Sequence, residues 1–270
     1  MAPATPEIDQ PISRQMLNKV PEITLYFWII KVLCTTVGET GADYLIGALK
    51  WGLTTTSWVM GGILVVVLLF QFRARQYIPG LYWLAVVFLS IVGTLITDNL
   101  TDNMGVALEL STAVFGIALA VTFGIWYARE RTLSIHSIST TPREAFYWLA
   151  VLVTFALGTA GGDLLAERIQ LGYLVSGLIF AGAIALIGVL RLTGKMDAML
   201  AFWLAYILTR PLGASIGDYL SQSPKYGGLG LGTTVTSLIF LAVILVLVVF
   251  LSLTGKDVVH DKPAPLNVQV

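Results

Sequence analysis

The chain is poor in charge, cysteine and histidine, and each shortage excludes a class of protein. Asp, Glu, Lys and Arg make up 12% of its 270 residues, about half the share carried by a soluble domain. The only cysteine, Cys34, sits inside an apolar run, which rules out an internal disulfide and a thiolate metal cage. The two histidines, His136 and His260, fall in a connection and in a tail, so a membrane haem held by paired histidines has no ligands. The net charge is zero and the pI is near 6.7, so nothing points to nucleic acid as a partner. A serine elbow, a metal-binding histidine motif and a nucleotide loop are all missing, so no cofactor and no enzyme activity are expected. The first twenty residues contain Pro3, Pro6, Pro11, Glu7, Asp9 and Arg14 and no apolar core. They read as a polar tail rather than a cleavable signal. The segment from Lys256, with Pro263 and Pro265, reads as a disordered polar tail.

What the chain has in excess is apolar length. It is 56% hydrophobic, with a mean hydropathy of +0.82. Apolar stretches run over 23–45, 54–72, 80–100, 105–128, 145–166, 172–192, 197–220 and 229–254. Each reaches or approaches the ~20 residues that a helix needs to cross the hydrocarbon of a bilayer. The reading is an all-α integral membrane protein with eight transmembrane helices and the lipid bilayer as its first partner.

Loop charge predicts orientation. The tails and the even connections hold Arg14, Lys19, Arg73, Arg75, Arg129, Arg131, Arg143, Arg191, Lys195, Lys256 and Lys262, whereas the odd connections hold only Lys50, Arg168 and Lys225. By the positive-inside rule both termini are expected in the cytoplasm.

One motif occurs four times: an aromatic-Trp pair, then Gly ten, Asp fifteen and Leu seventeen residues after the Trp. The copies are Phe27-Trp28…Gly38…Asp43…Leu45, Tyr82-Trp83…Gly93…Asp98…Leu100, Tyr147-Trp148…Gly158…Asp163…Leu165 and Phe202-Trp203…Gly213…Asp218…Leu220. Each copy marks one outward and one returning helix, so the chain reads as four parallel two-helix repeats in two pseudo-symmetric halves. The expected organisation is a polar tail at 1–22, a first half at 23–128, a connection at 129–144, a second half at 145–254 and a tail at 255–270. On these motifs, and on the opening VPEITLYFWIIKVLCTTVGETGADYL, the chain resembles a family of bacterial inner-membrane proteins. That family has four tandem repeats of unknown function, each with two membrane helices and a prominent tryptophan. The resemblance covers residues 20–255 and implies the architecture and an inner-membrane location. It leaves the chemistry to the residues.

Fifteen residues of helix span about 22 Å, so the four aspartates are expected at one depth, toward the outer end, around a shared axis. Four such charges in a low dielectric need a cation, protons or water between them. The competing reading ties each Asp to backbone amides of the following turn. Polar side chains recur every four residues as Lys31, Thr35, Glu39 and Asp43, and as Ser90, Thr94, Asp98 and Asp102. Thr159, Asp163 and Glu167 continue the pattern in the fifth span, and Tyr206, Arg210 and Asp218 in the seventh, so these four helices are expected to line the interior or a path. Lys31 and Arg210 break the symmetry and are expected to act as counter-charges, with Glu39 and the motif aspartates as the acids to hand.

The candidate transport path is therefore Glu39, Asp43, Asp98, Glu109, Asp163 and Asp218, with Glu39, Asp43, Asp98 and Glu109 foremost. Glu39, Asp43 and Asp98 are candidate metal ligands. Oxygen donors without Cys or His suit a hard divalent ion such as Mg²⁺ or Mn²⁺ as the transported species. The motif glycines are expected at close helix contacts, Pro211 at a kink, and the tryptophans at packing between repeats. The leading expectation is a transporter of a small cation, coupled to protons if a carboxylate must empty before the ion enters. A non-transporting scaffold or sensor subunit, an intramembrane aspartyl hydrolase drawing on Gly161-Gly162-Asp163, and assembly as a homo-oligomer stay open.

Overall fold

The structure is a computed structural model that describes residues 18–258. The tails expected at either end, with Arg14, His260 and Lys262, therefore lie outside the described residues except for a few positions at their inner edges. The described chain is all helical, with α1 Leu25–Asp43, α2 Leu53–Arg73, α3 Pro79–Asp98, α4 Leu108–Glu130, α5 Thr141–Asp163, α6 Tyr173–Leu192, α7 Ala198–Ser221 and α8 Thr233–Thr254. Seven of these are long and apolar enough to cross a membrane. The eighth, α1, is the one that carries Lys31, Glu39 and Asp43 together.

The helix ends follow local chemistry. The Thr24 and Thr140 hydroxyls accept hydrogen bonds from the amides of Phe27 and Arg143, and the Asp197 carboxylate accepts from Met199 and Leu200. At the other end of the bundle the chain enters α2, α6 and α8 through Gly52, Gly172 and Gly232, with φ of +73°, +74° and +80°. An L side chain is disfavoured in that conformation.

Odd helices form the inside. About 67%, 56% and 61% of the apolar windows of α3, α5 and α7 are buried, against 17–28% for the even helices. The inner helix α1 packs on α3, α3 on α5, α5 on α7 and α7 back on α1, closing a ring of four. Each outer helix covers the inner helix of the next repeat: α2 lies on α3, α4 on α5, α6 on α7, and α8 returns to α1.

The motif glycines form the joints of that ring. A Cβ on Gly38 would fall 1.9 Å from Ser90 Oγ, and one on Gly93 would fall 2.6 Å from Phe155 Cβ. One on Gly158 would meet Arg210 Cγ at 2.3 Å, and one on Gly213 would meet Thr35 Oγ1 at 1.9 Å. Ser90, Phe155, Arg210 and Thr35 are themselves equivalent positions, three residues before the motif glycine in their own repeats. The same contact is thus made four times, each glycine taking the side chain of the next inner helix. Pro211 lies inside α7, where it packs against Gly158 and Gly162.

The aromatic pairs gather at one end. Trp83, Trp148 and Trp203 are buried, and rings of different repeats meet: Phe27 with Trp83 and Phe202, Tyr82 with Tyr147 and Trp148, and Tyr147 with Trp203. The tryptophans are packing residues between repeats, including the half-buried Trp28, whose ring meets Phe202 of the fourth repeat.

Beyond this layer the inner edges of both tails are pinned down. Buried Lys19 donates to Glu144 at 2.6 Å and to the Phe72 carbonyl at 3.1 Å, and Gln71 also donates to Glu144. The Glu22 amide bonds to the Asp257 carbonyl, and the Tyr77 hydroxyl to the Asp257 carboxylate. Burial, and then that carboxylate, raise the Tyr77 hydroxyl above its ordinary pKa. Lys19 and Asp257, at the inner edges of the expected polar tails, are thus buried and hydrogen-bonded to the bundle.

Candidate functional site

Opposite the aromatic end, the inner helices open into a polar cavity of about 170 Å³. Glu39, Asp43, Asp98, Asp102, Asp163, Glu167 and Asp218 line it, seven carboxylates, together with Thr101, Leu108 and Gln222. Repeat geometry accounts for the convergence. The four motif aspartates form one tier, and the residues four further on, Asp102, Glu167 and Gln222, form a second tier one helical turn outward. The fourth equivalent of that outer tier is Gly47, which has no side chain to offer.

Asp43, Asp98 and Asp163 each stand immediately before a π-helical turn, at Tyr44–Ala48, Asn99–Asn103 and Leu164–Arg168. Such turns widen a helix locally and are frequent at functional sites. None of the three aspartates caps the turn that follows it with a side-chain hydrogen bond. The tie-down reading of these aspartates is thereby corrected: the turns close through their own backbone bonds and leave the carboxylates facing the cavity.

Behind Glu39, out of the cavity's own lining, lies a single guanidinium. Arg210 is fully buried, with its stem against Gly158. It donates to the Thr35 carbonyl at 2.6 Å, to Glu39 Oε2 at 2.7 Å, to Thr159 Oγ1 at 2.7 Å and to Thr94 Oγ1. Glu39, Thr94 and Thr159 are equivalent positions, each following its motif glycine, and the fourth equivalent, Ala214, belongs to the helix of Arg210 itself. One side chain from α7 therefore ties together α1, α3 and α5 on the axis. A buried charge pair of this kind holds only because every donor finds an acceptor.

Below it lies Lys31, which departs from expectation. Among the described residues its Nζ has no hydrogen-bond partner and no carboxylate within ion-pair distance. It rests 4.0 Å from the centre of the Phe155 ring and 4.1 Å from that of Tyr206. The acids expected to pair with it are turned toward Arg210 and the cavity, so among the expected counter-charges only Arg210 makes an ion pair within the axis.

Glu109 also falls outside the site. It sits in the first turn of the outer helix α4, half exposed, and pairs with Arg168 at 2.8 Å. An exposed pair of this kind contributes little to stability. Its placement in the path is corrected, because α4 faces outward and only its neighbour Leu108 reaches the cavity wall. Of the other expected site residues, Glu39, Asp43, Asp98, Asp163 and Asp218 all meet in the cavity. Asp102, Glu167 and Gln222 were not singled out as site residues, although the four-residue step from the motif aspartate marks them. The carboxylates are spread over the two tiers: among the described residues no three His, Cys, Asp or Glu converge closely enough to hold a metal ion. Glu39, Asp43 and Asp98 are therefore cavity-lining residues without being a ready ligand set.

The family described as Repeat of Unknown Function (DUF347) matches the chain four times, over residues 26–77, 81–132, 146–194 and 201–257. Each match holds one copy of the motif, and together they span most of the chain, which belongs to this repeat family. No curated protein and no solved structure matches it.

Proposed function

We propose that this four-repeat membrane protein is a transporter of a small cation, with the acidic cavity as its outward-facing vestibule and Arg210 as the closed gate beneath it. The observation that carries the reading is the convergence of seven carboxylates on one cavity inside an otherwise apolar bundle. Ionisable groups at such positions are costly to hold, and they require cations, protons or water among them. Among the described residues, only Glu39 of the seven is neutralised by an ion pair with the chain's own base. A scaffold needs every buried acid satisfied internally, and Asp218, buried and without a hydrogen bond to its carboxylate among the described residues, argues for an external partner.

The four repeats run in parallel in this reading. Support comes from the motif aspartates collecting at one end and the aromatic pairs at the other. With both termini cytoplasmic in the inner membrane, the vestibule faces outward and the sealed aromatic end faces the cytoplasm. Passage then requires Arg210 to leave Glu39, and an arriving cation supplies the replacement charge. Protons held between the carboxylates are displaced by the same event, which couples the two fluxes. The test is cation flux into proteoliposomes. Glu39→Gln protein is expected to lose most of the wild-type flux, and wild-type flux from this variant would overturn the gate.

A further inference from the structure

The vestibule has a side chamber, whose walls narrow the class of cation. A cavity of about 510 Å³ lined by Ala166, Glu167, Gly172, Tyr173, Gln222 and Tyr226 shares Glu167 and Gln222 with the acidic cavity. The Tyr173 hydroxyl donates to Glu167 at 3.0 Å, which fixes the carboxylate between the two compartments. Tyr226, mostly exposed, supplies an aromatic face at the rim.

At the inner end of this pair of cavities, Asp218 lines the vestibule at 7% exposure, and among the described residues its carboxylate receives no hydrogen bond. A buried carboxylate aimed into a cavity without a donor asks for a cationic group there. At the outer end, the rim ring already receives an amine: Lys225 Nζ lies 5.5 Å from the centre of the Tyr226 ring. The axis makes the same pairings in its interior. Arg210 is held by hydroxyls and one carboxylate, and the Lys31 amine lies over two rings. The carboxylates are arrayed along two tiers and into a tyrosine-lined chamber rather than converging on one point. A hard divalent ion takes six or more oxygens around a single centre, whereas an elongated amine takes carboxylates at its ends and aromatic or apolar surface along its stem.

We propose that the transported cation is an alkyl diamine or polyamine. One ammonium lies among the motif aspartates beside Asp218, the chain passes Gln222, and the second ammonium lies at Glu167 between Tyr173 and Tyr226. The assignment rests on the cation-transport reading and adds the substrate class to it.

The experiment is uptake of radiolabelled 1,4-diaminobutane by the full chain in proteoliposomes, with K⁺ and Mn²⁺ flux measured in parallel. The expected result is saturable diamine uptake whose KM rises about five-fold in Tyr226→Leu, returns in Tyr226→Phe, and leaves any inorganic flux unchanged. Flux of K⁺ or Mn²⁺ without diamine uptake would overturn the substrate class and leave cation transport standing. Diamine uptake indifferent to Tyr226→Leu would overturn the role of the side chamber. If neither the diamine nor an inorganic ion moves, cation transport itself falls, and this assignment with it.

Discussion

Arg210 and Lys31 are the two fully buried bases of the inner helices, and their surroundings differ enough to predict contrasting mutational behaviour. Arg210→Met leaves Glu39 buried without its partner, a loss of about 3–5 kcal/mol for a broken buried pair. The purified variant is expected to melt well below wild type, and adding Glu39→Gln is expected to restore part of the loss. Equal melting of the single and double variants would mean that the pair is not coupled. Lys31→Met, by contrast, replaces an amine that has no hydrogen-bond partner with an apolar side chain of similar length. Its melting temperature should fall far less than that of Arg210→Met, because burial of the amine offsets what the two rings supply, and a drop comparable to that of Arg210→Met would contradict an amine held without a charge partner. Arg210 and Glu39 were legible in the sequence as departures from the repeat. The aromatic contact was legible too, because Tyr206 is the repeat equivalent of Lys31 and so lies at the same level of the ring. A lone base in a span points first to an acid, and so away from the aromatic rings. Glu109 was misplaced for a different reason: an acid in an apolar stretch looks the same whether its helix lines the axis or covers it.

At the scale of the helices, the glycines separate inner contacts from outer ones. Gly38, Gly93, Gly158 and Gly213 have no room for a Cβ, whereas Gly61 in α2 and Gly182 in α6 meet nothing within 4 Å. Alanine at any of the first four forces two inner helices apart and is expected to cost about 1–3 kcal/mol. Gly61→Ala and Gly182→Ala should be neutral, or stabilising by up to ~1 kcal/mol through helix propensity. Thermal melts of the six single variants check the division, and a destabilised Gly61→Ala beside an unaffected Gly213→Ala would reverse the assignment of inner and outer helices. The motif spacing made these four glycines visible as contacts. The π turns after Asp43, Asp98 and Asp163 had no such signal, because no composition or spacing distinguishes a five-residue step from the end of an α-helix. Without the turns, a cap on the following backbone and a carboxylate facing a shared axis were equally open for the motif aspartates.

For the whole molecule, hydropathy and the four motif copies were enough to read eight helices in four units. The order of neighbours was not readable, because nothing local says that each outer helix covers the inner helix of the following repeat. That offset makes α8 the cover of α1 and joins the ends of the described chain, where Glu22 and Asp257 are hydrogen-bonded. A circular permutant that links residue 258 to residue 19 and opens within 132–140 should therefore fold with a melting temperature close to wild type. Failure of that permutant alone, with an unpermuted control folding normally, would contradict ring closure. The same ring gathers the motif aspartates into one cavity and leaves Glu109 outside it, and cation flux in proteoliposomes tests the proposed role of the two positions most directly. Asp98→Asn is expected to reduce flux of the transported cation at least about ten-fold, the effect of removing roughly 1.4 kcal/mol of stabilisation from the limiting step. Glu109→Gln is expected to carry the wild-type flux. Undiminished flux in Asp98→Asn, or an equal loss in both variants, would contradict an acidic vestibule built by the repeats.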